Sequence, residues 1–299
     1  MLSILENIGE NVERATNVDQ VLQMSGLDFT VKGENCYYMF NGMPELVPGV
    51  QANVREDTGD ILGVVSNRYK ICQNADAFEF INYISNDIKF RKAGMTKNGI
   101  IYIFAELESS MHLKDEYKNY VVFRNAHNGK FPLQATISPM RVVCENQFHS
   151  VFSRSENNVY IKHVSGLESK LEMAKQVLKG YADAVSMMDK KINSFALTKF
   201  TQNQFTMFVN TVFPITSDMT ESAIEKQEEK HNILKYLYDM EANQNYGGTL
   251  LGALNATTYY DSHRDEMYFK KSIVTDEAFF RQLDGKQLSN KLLEFADNK

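Results

Sequence analysis

Three stretches of the chain gather residue types that bind anions, move protons or act as nucleophiles. The first is Asn67-Arg68-Tyr69, followed by Asn74. An arginine fork grips phosphate or carboxylate through paired N–H donors, so Arg68 is a candidate ligand-binding side chain with Asn67 and Tyr69 beside it. The competing reading is a strand-end arginine paired with a neighbouring acid, next to an asparagine that caps a helix. On the residues alone that second reading is favoured.

The second stretch is the richest. It runs from Arg124-Asn125-Ala126-His127-Asn128-Gly129-Lys130, through Pro139-Met140-Arg141-Val142-Val143-Cys144-Glu145-Asn146, to Lys162-His163. A His-Asn-Gly-Lys turn can present backbone N–H groups and a cation to an anion. It is not a Walker loop, because the chain has no GxxxxGK[ST]. Arg141 and Asn146 flank an apolar Val-Val-Cys run, so each either points into a site or caps the next element. Cys144 as a nucleophile needs a base, for which His127, His149 and His163 are available. Its apolar neighbours favour simple packing instead. His127, Cys144, His163 and His263 are zinc-type ligands, but no local spacing joins them. No metal site is predicted and the cofactor, if any, is unassigned.

The third stretch is Gly247-Gly248-Thr249-Leu250-Leu251-Gly252-Ala253-Leu254-Asn255-Ala256-Thr257-Thr258-Tyr259-Tyr260-Asp261-Ser262-His263-Arg264. Read as a helix, it sets Thr249, Gly252, Ala253 and Ala256 on a flat face for close packing. Asn255, Tyr259 and His263 recur at i, i+4 and i+8 and form a polar stripe. The stripe either satisfies neighbouring backbone or joins the second stretch in a pocket.

The elements that must position these residues follow from periodicity. Leu2, Leu5, Ile8 and Val12 recur at helical spacing, and Thr16 is a candidate cap for a short helix with Val18, Val21 and Leu22. From Phe29 the pattern turns to short β-rich runs. A hairpin is predicted about Gly33-Glu34, an irregular segment at Pro44 and Pro48, and a strand pair about Asp57-Thr58-Gly59-Asp60. A helix is predicted from Asn74 to about Ser85. Thr96-Lys97-Asn98-Gly99 and His127-Asn128-Gly129 read as hairpin turns. Beyond Ser165 the chain is helical. Leu167, Leu171, Ala174, Leu178, Tyr181, Val185, Met188 and Ile192 keep heptad spacing, which predicts a seam that packs in the chain or between subunits. Further helices are predicted over 201–212, 219–242, 247–263 and 276–296. The fold class is therefore α+β: a helical lead (1–26), a mostly antiparallel sheet (27–164) and a helical subdomain (165–299) packed as one unit with it.

Composition narrows the function classes. The chain has 299 residues, 43% hydrophobic and 23% charged, which is ordinary globular usage. No apolar run is long enough to span a membrane, and the N-terminus lacks the pattern of a secretory signal. Cys36, Cys72 and Cys144 are odd in number and far apart, which predicts free thiols and a cytoplasmic location. The formal net charge of −6 argues against a binder that is basic throughout, so nucleic-acid binding needs a local patch.

At these clusters the sequence resembles the domain-of-unknown-function 932 family of phage- and plasmid-like proteins. The resemblance rests on NRYKICQNADAF, NAHNGKFPLQATISPMRVVCENQF, VYIKHVSG and GGTLLGALNATTYYDSHR, and covers about residues 60 to 265. There are departures. Asn128 stands where an Asp is familiar, Gln147-Phe148 where Thr-Leu is usual, and Ser262 separates Asp261 from His263. The family brings no established activity. Its members are typical of phages and mobile elements, often among replication and recombination genes, which implies DNA metabolism or interference with host defence.

Three functions are set in order. The first is a nucleic-acid-associated protein of a mobile element, acting in the host cytoplasm on single-stranded DNA in replication or recombination. The second is an enzyme on a phosphorylated substrate or nucleic acid. The third is a non-catalytic protein that inhibits a host defence complex. A homo-oligomer without membrane contact is expected, and Arg68, His127, Arg141, Asn146, His163, Asn255 and His263 are expected around one concavity.

Overall fold

Tight turns with glycine in the left-handed region set the β-layer. A computed structural model describes residues 8–79, 81–82, 88–107, 117–141, 159–163, 181–242, 246–269 and 288–297. The described strands are β1 (Glu10–Asn11), β2 (Val31–Phe40), β3 (Met43–Arg55), β4 (Ile61–Ser66), β5 (Ile88–Met95), β6 (Ile100–Leu107), β7 (Tyr117–Ala126), β8 (Leu133–Arg141) and β9 (Val159–Ile161). They form two antiparallel sheets, one of order β1-β5-β6-β7-β8-β9 and one of order β2-β3-β4. Gly99 (φ 77°) and Gly129 (φ 72°) close the β5–β6 and β7–β8 hairpins where Asn-Gly pairs predicted them.

The first hairpin differs from the sequence reading. β2 runs unbroken through Gly33 and turns at Asn41 (φ 49°) and Gly42 (φ 80°), the left-handed pair of a type I′ turn. β3 continues through Pro44 and Pro48. β4 pairs only with residues 50–54, so both prolines lie where no third strand needs their missing N–H. At the N-terminus, Glu10 and Asn11 pair with Ala93 and Lys92 of β5, so this part of the lead is strand. The cap of α1 (Val18–Met24) is Asn17, whose side chain accepts from the Gln20 N–H. Thr16 instead directs its N–H and hydroxyl to Gln20 Oε1.

The other described helices are α2 (Asn74–Phe78), α3 (Tyr181–Leu197), α4 (Gln202–Val212), α5 (Glu221–Ala242), α6 (Leu250–Phe269) and α7 (Leu288–Asp297). The fold is thus α+β. α2 is shorter than predicted, with residues 83–87 outside the described ones. α4 begins with a reciprocal capping box between Thr201 and Gln204. α6 packs against α3, α5 and α7. Leu251 through Thr258 are buried on every side, as expected of a helix at the centre of a bundle. A Cβ on Gly252 would fall 2.3 Å from the Tyr246 carbonyl oxygen, so the small-residue face is a close-packing face.

One cluster of buried side chains joins α1 and the six-stranded sheet to α3, α4, α5, α6 and α7. Asn119 of β7 donates to Asp189 of α3 at 3.1 Å across this junction. The last four of the eight seam positions fall on α3. Residues 164–180, and the side chains of Tyr181, Val185 and Met188, lie outside the described ones. Ile192 is buried in the chain's own core together with Phe195, so the described end of the seam is internal.

Candidate nucleic-acid interface

The connection from β4 to α2 is pinned across one end of the six-stranded sheet. The Tyr69 hydroxyl donates to the Ala126 carbonyl at 2.7 Å, and the Lys70 N–H donates to the His163 carbonyl at 3.0 Å. The Tyr69 ring stacks on the His163 imidazole. β7 ends at Ala126 and β9 at Ile161, so His127 and His163 leave the sheet at the same end.

Below this surface lies a set of buried amides. Asn74 Nδ2 donates to the Leu27 carbonyl at 2.8 Å, which turns its Oδ1 towards His127 Nε2 at 3.0 Å. That oxygen only accepts, so Nε2 carries the imidazole proton and Nδ1 is the bare nitrogen. Asn53 Nδ2 donates to the His127 carbonyl at 2.7 Å, and Asn125 Nδ2 to the Cys72 carbonyl at 3.3 Å. Among the described residues His127 Nδ1 and both ring nitrogens of His163 are buried without a hydrogen-bond partner. Burial, with the nearby His163, pulls the His127 pKa down to about 4. Burial also lowers that of His163, against a smaller opposing effect of the Lys70 backbone. Both imidazoles are therefore neutral at pH 7. Burial pushes the Cys72 thiol up to about 12, an inert packing thiol.

The segments that meet at this end carry exposed cations. Arg68, Lys70, Lys130 and Lys162 are exposed, and none of them pairs with an acid among the described residues. Segments 61–75, 127–136 and 159–163, which meet here, contain these four cations and no Asp or Glu. The β5–β6 turn adds an exposed Lys97. The local surplus stands against −6 for the whole chain.

An open groove of 770 Å³, with Lys97 and Lys130 in its lining, lies between β4, the β5–β6 turn and the β7–β8 turn. Ile61, Val64 and Phe131 supply apolar lining, and Asn98, Asn128 and Lys130 supply polar groups. Asn128 ties the two turns: its Nδ2 donates to the Asn98 carbonyl at 2.8 Å and its Oδ1 accepts from the Lys130 N–H at 2.9 Å. β4 lies close over this turn, since a Cβ on Gly63 would fall 2.5 Å from Asn128 Cα. The Arg124 guanidinium is buried over the Phe131 ring, 5.5 Å from its centroid.

The structure gathers Asn67, Arg68, Tyr69, His127, Asn128 and His163 at one end of the sheet. Arg68 is exposed without an acid partner among the described residues, and Asn74 points inward to His127 while Gln73 takes the cap position without capping α2 through its side chain. Arg141 pairs with Tyr117 at the opposite end of the β7–β8 ladder from His127. Asn255 is buried on α6 and donates to Glu241 of α5 at 3.1 Å. Asp261 accepts the Leu288 N–H at 2.8 Å, at the positive start of α7. These placements separate Arg141 from the cations and give Asn255 and Asp261 partners in the helical layer. Cys144, Asn146 and the side chains of Arg141 and His263 lie outside the described residues. Sequence reasoning passed over Asn53, and named Lys162 and Cys72 without giving them a place in the site. The readable signal for the cations was the run of acid-free segments, not any motif.

The fold and site define an α+β protein with a positively charged sheet end over a core of neutral, buried polar groups. It belongs to the family described as "Domain of unknown function (DUF932)", which matches residues 61–291. No curated protein and no solved structure matches the chain.

Proposed function

We propose that this is a nucleic-acid-associated protein that holds single-stranded DNA along the positive end of its sheet. The observation that carries the reading is the set of Arg68, Lys70, Lys130 and Lys162 on segments with no acid, in a chain that is otherwise acidic. Phosphates pair with such cations, and displaced counter-ions drive the association. The adjoining groove offers Phe131 and aliphatic side chains to base faces, which bind without reading sequence. A duplex presents its bases stacked inside, so the apolar lining favours single strands. Replication or recombination in the cytoplasm of a host cell is the setting that the family resemblance implies.

Fluorescence anisotropy with labelled single- and double-stranded oligonucleotides tests the proposal. The expected result is single-strand binding that weakens with salt, with a log–log slope of roughly −3 if four phosphates are neutralised. Joint replacement of Arg68, Lys70, Lys130 and Lys162 by Ala should abolish it. Absence of binding at about 50 mM salt, where phosphate contacts are strongest, would overturn the reading.

The reading as an enzyme on a phosphorylated substrate draws on the same cations, with the neutral imidazoles of His127 and His163 behind them. Turnover of nucleotides or oligonucleotides that survives in the wild type and is lost in His163→Gln would favour it over simple binding.

A further inference from the structure

The β2–β3 hairpin projects beyond its third strand. β4 reaches residues 50–54 of β3, so from Tyr37 to Leu46 the arm is two-stranded, with both edges unpaired among the described residues. Tyr37 pairs with Leu46, Met39 with Pro44 and Phe40 with Met43, and Tyr38 sits opposite Glu45. Side chains alternate across a strand, so Tyr37, Met39, Pro44 and Leu46 cover one face. Tyr38, Phe40 and Met43 cover the other. The six large apolar side chains among these are between 50% and 68% exposed. A two-stranded ribbon with open edges and two apolar faces is marginal in water, and soluble proteins rarely leave one uncovered.

We propose that this arm is a homodimerisation element, with Tyr37–Leu46 packing against the same segment of a second copy. Three observations favour a second copy. The first is shape: an open strand edge and its apolar face are self-complementary about a two-fold axis, with β2 pairing antiparallel to its counterpart. The second is charge. From Gly33 to Val54 there is no Lys or Arg, while Glu34 and Glu45 are present. An arm meant for an anionic membrane or for phosphates would carry cations, and this one carries the opposite sign. The third is area. With large side chains of about 150–250 Å² each, the exposed surface is on the order of 700 Å² per chain. That total, spread over the two faces, is more apolar surface than a single chain usually leaves in water, and a second copy can cover one face of each arm.

The arm precedes the segment matched by the family, and none of Tyr37–Leu46 lines the positive groove. The proposal is therefore independent of the DNA-binding reading. It also differs from a helical-seam dimer, because Ile192 at the described end of that seam is internal.

Size-exclusion chromatography with light scattering at micromolar concentration gives the test. The 299-residue chain should run at twice its 34.2 kDa mass. Met39→Asp with Phe40→Asp should run at the mass of one chain with an unchanged thermal melt, because both positions are exposed in the single chain. If that variant fails to fold, Met39→Thr with Phe40→Thr keeps strand-forming residues and should show the same loss of mass. A wild-type protein that stays monomeric overturns the proposal, whether or not it co-floats with vesicles. So does a dimer that persists in a folded arm variant, which would place the interface elsewhere.

Discussion

The Tyr69 ring lies flat on the His163 imidazole, with centroids 4.9 Å apart and planes 18° apart. The same tyrosine donates its hydroxyl to the Ala126 carbonyl. One side chain thus fastens the β4–α2 connection, which carries Arg68 and Lys70, to the ends of β7 and β9. The position of those cations depends on this contact more than on any ion pair.

Tyr69→Phe should keep the stack and lose the hydrogen bond, for a stability loss of about 1 kcal/mol. Tyr69→Leu should lose the stack as well, adding about 0.5–1.5 kcal/mol. Urea unfolding measures both. A Tyr69→Phe protein as stable as the wild type would show that the bond to Ala126 contributes nothing net.

Acid should weaken the fold through His127. Its folded pKa is about 4, against about 6.5 in an unfolded chain. Between these values the unfolded chain binds a proton that the folded chain refuses. Stability is therefore full above about pH 6.5 and falls as pH drops towards 4, by ~3 kcal/mol once His127 has titrated. His163, lowered by burial, acts in the same direction. His127→Gln retains an amide donor for Asn74 and removes the titration. Its urea midpoint should change less than the wild type's between pH 7 and 4.5. Parallel pH profiles would show that His127 is not the responsible group.

Ile192→Asp should abolish the cooperative melt, because it buries a charge in the junction between sheet and helices, at a cost of several kcal/mol. Leu197→Asp, on the same helix at 88% exposure, should melt like the wild type. A folded Ile192→Asp protein that merely changes oligomeric state would return the seam to an intersubunit role.

Local signals made much of the fold readable. Thr96-Lys97-Asn98-Gly99 and His127-Asn128-Gly129 specify their turns within four residues, and the buried face of α6 shows as a small-residue pattern. Asn41-Gly42 carried the same kind of signal, but Pro44 and Pro48 nearby suggested a break. Only the pairing of β4 shows that those prolines stand beside an open edge. The polar core was not readable for a different reason. His127 meets Asn74 and Asn53 from 53 and 74 positions away, so its tautomer and its neutral state are properties of assembled strands. Asn255, placed on a polar stripe by spacing, faces Glu241 on another helix. Spacing gives the face of a helix and not its partner.

Asn128 is where stability and binding can be separated. Its amide nitrogen donates to the Asn98 carbonyl and its oxygen accepts from Lys130 N–H, so one side chain ties two turns of the groove. Asn128→Asp keeps the acceptor and loses the donor, and it sets a carboxylate against a carbonyl oxygen. The loss of stability should be about 1–2 kcal/mol. The same change introduces a negative charge beside Lys130 in a region that has no acid. Affinity for single-stranded DNA at low salt should fall by about 3–10-fold, and the difference should shrink as salt screens the charge. Asn128→Ala removes the inter-turn bond without adding charge, so it should cost similar stability but less affinity. If the two variants bind equally well, the charge of this sheet end is not what holds the nucleic acid, and the contribution of Lys130 must be sought in the shape of the turn.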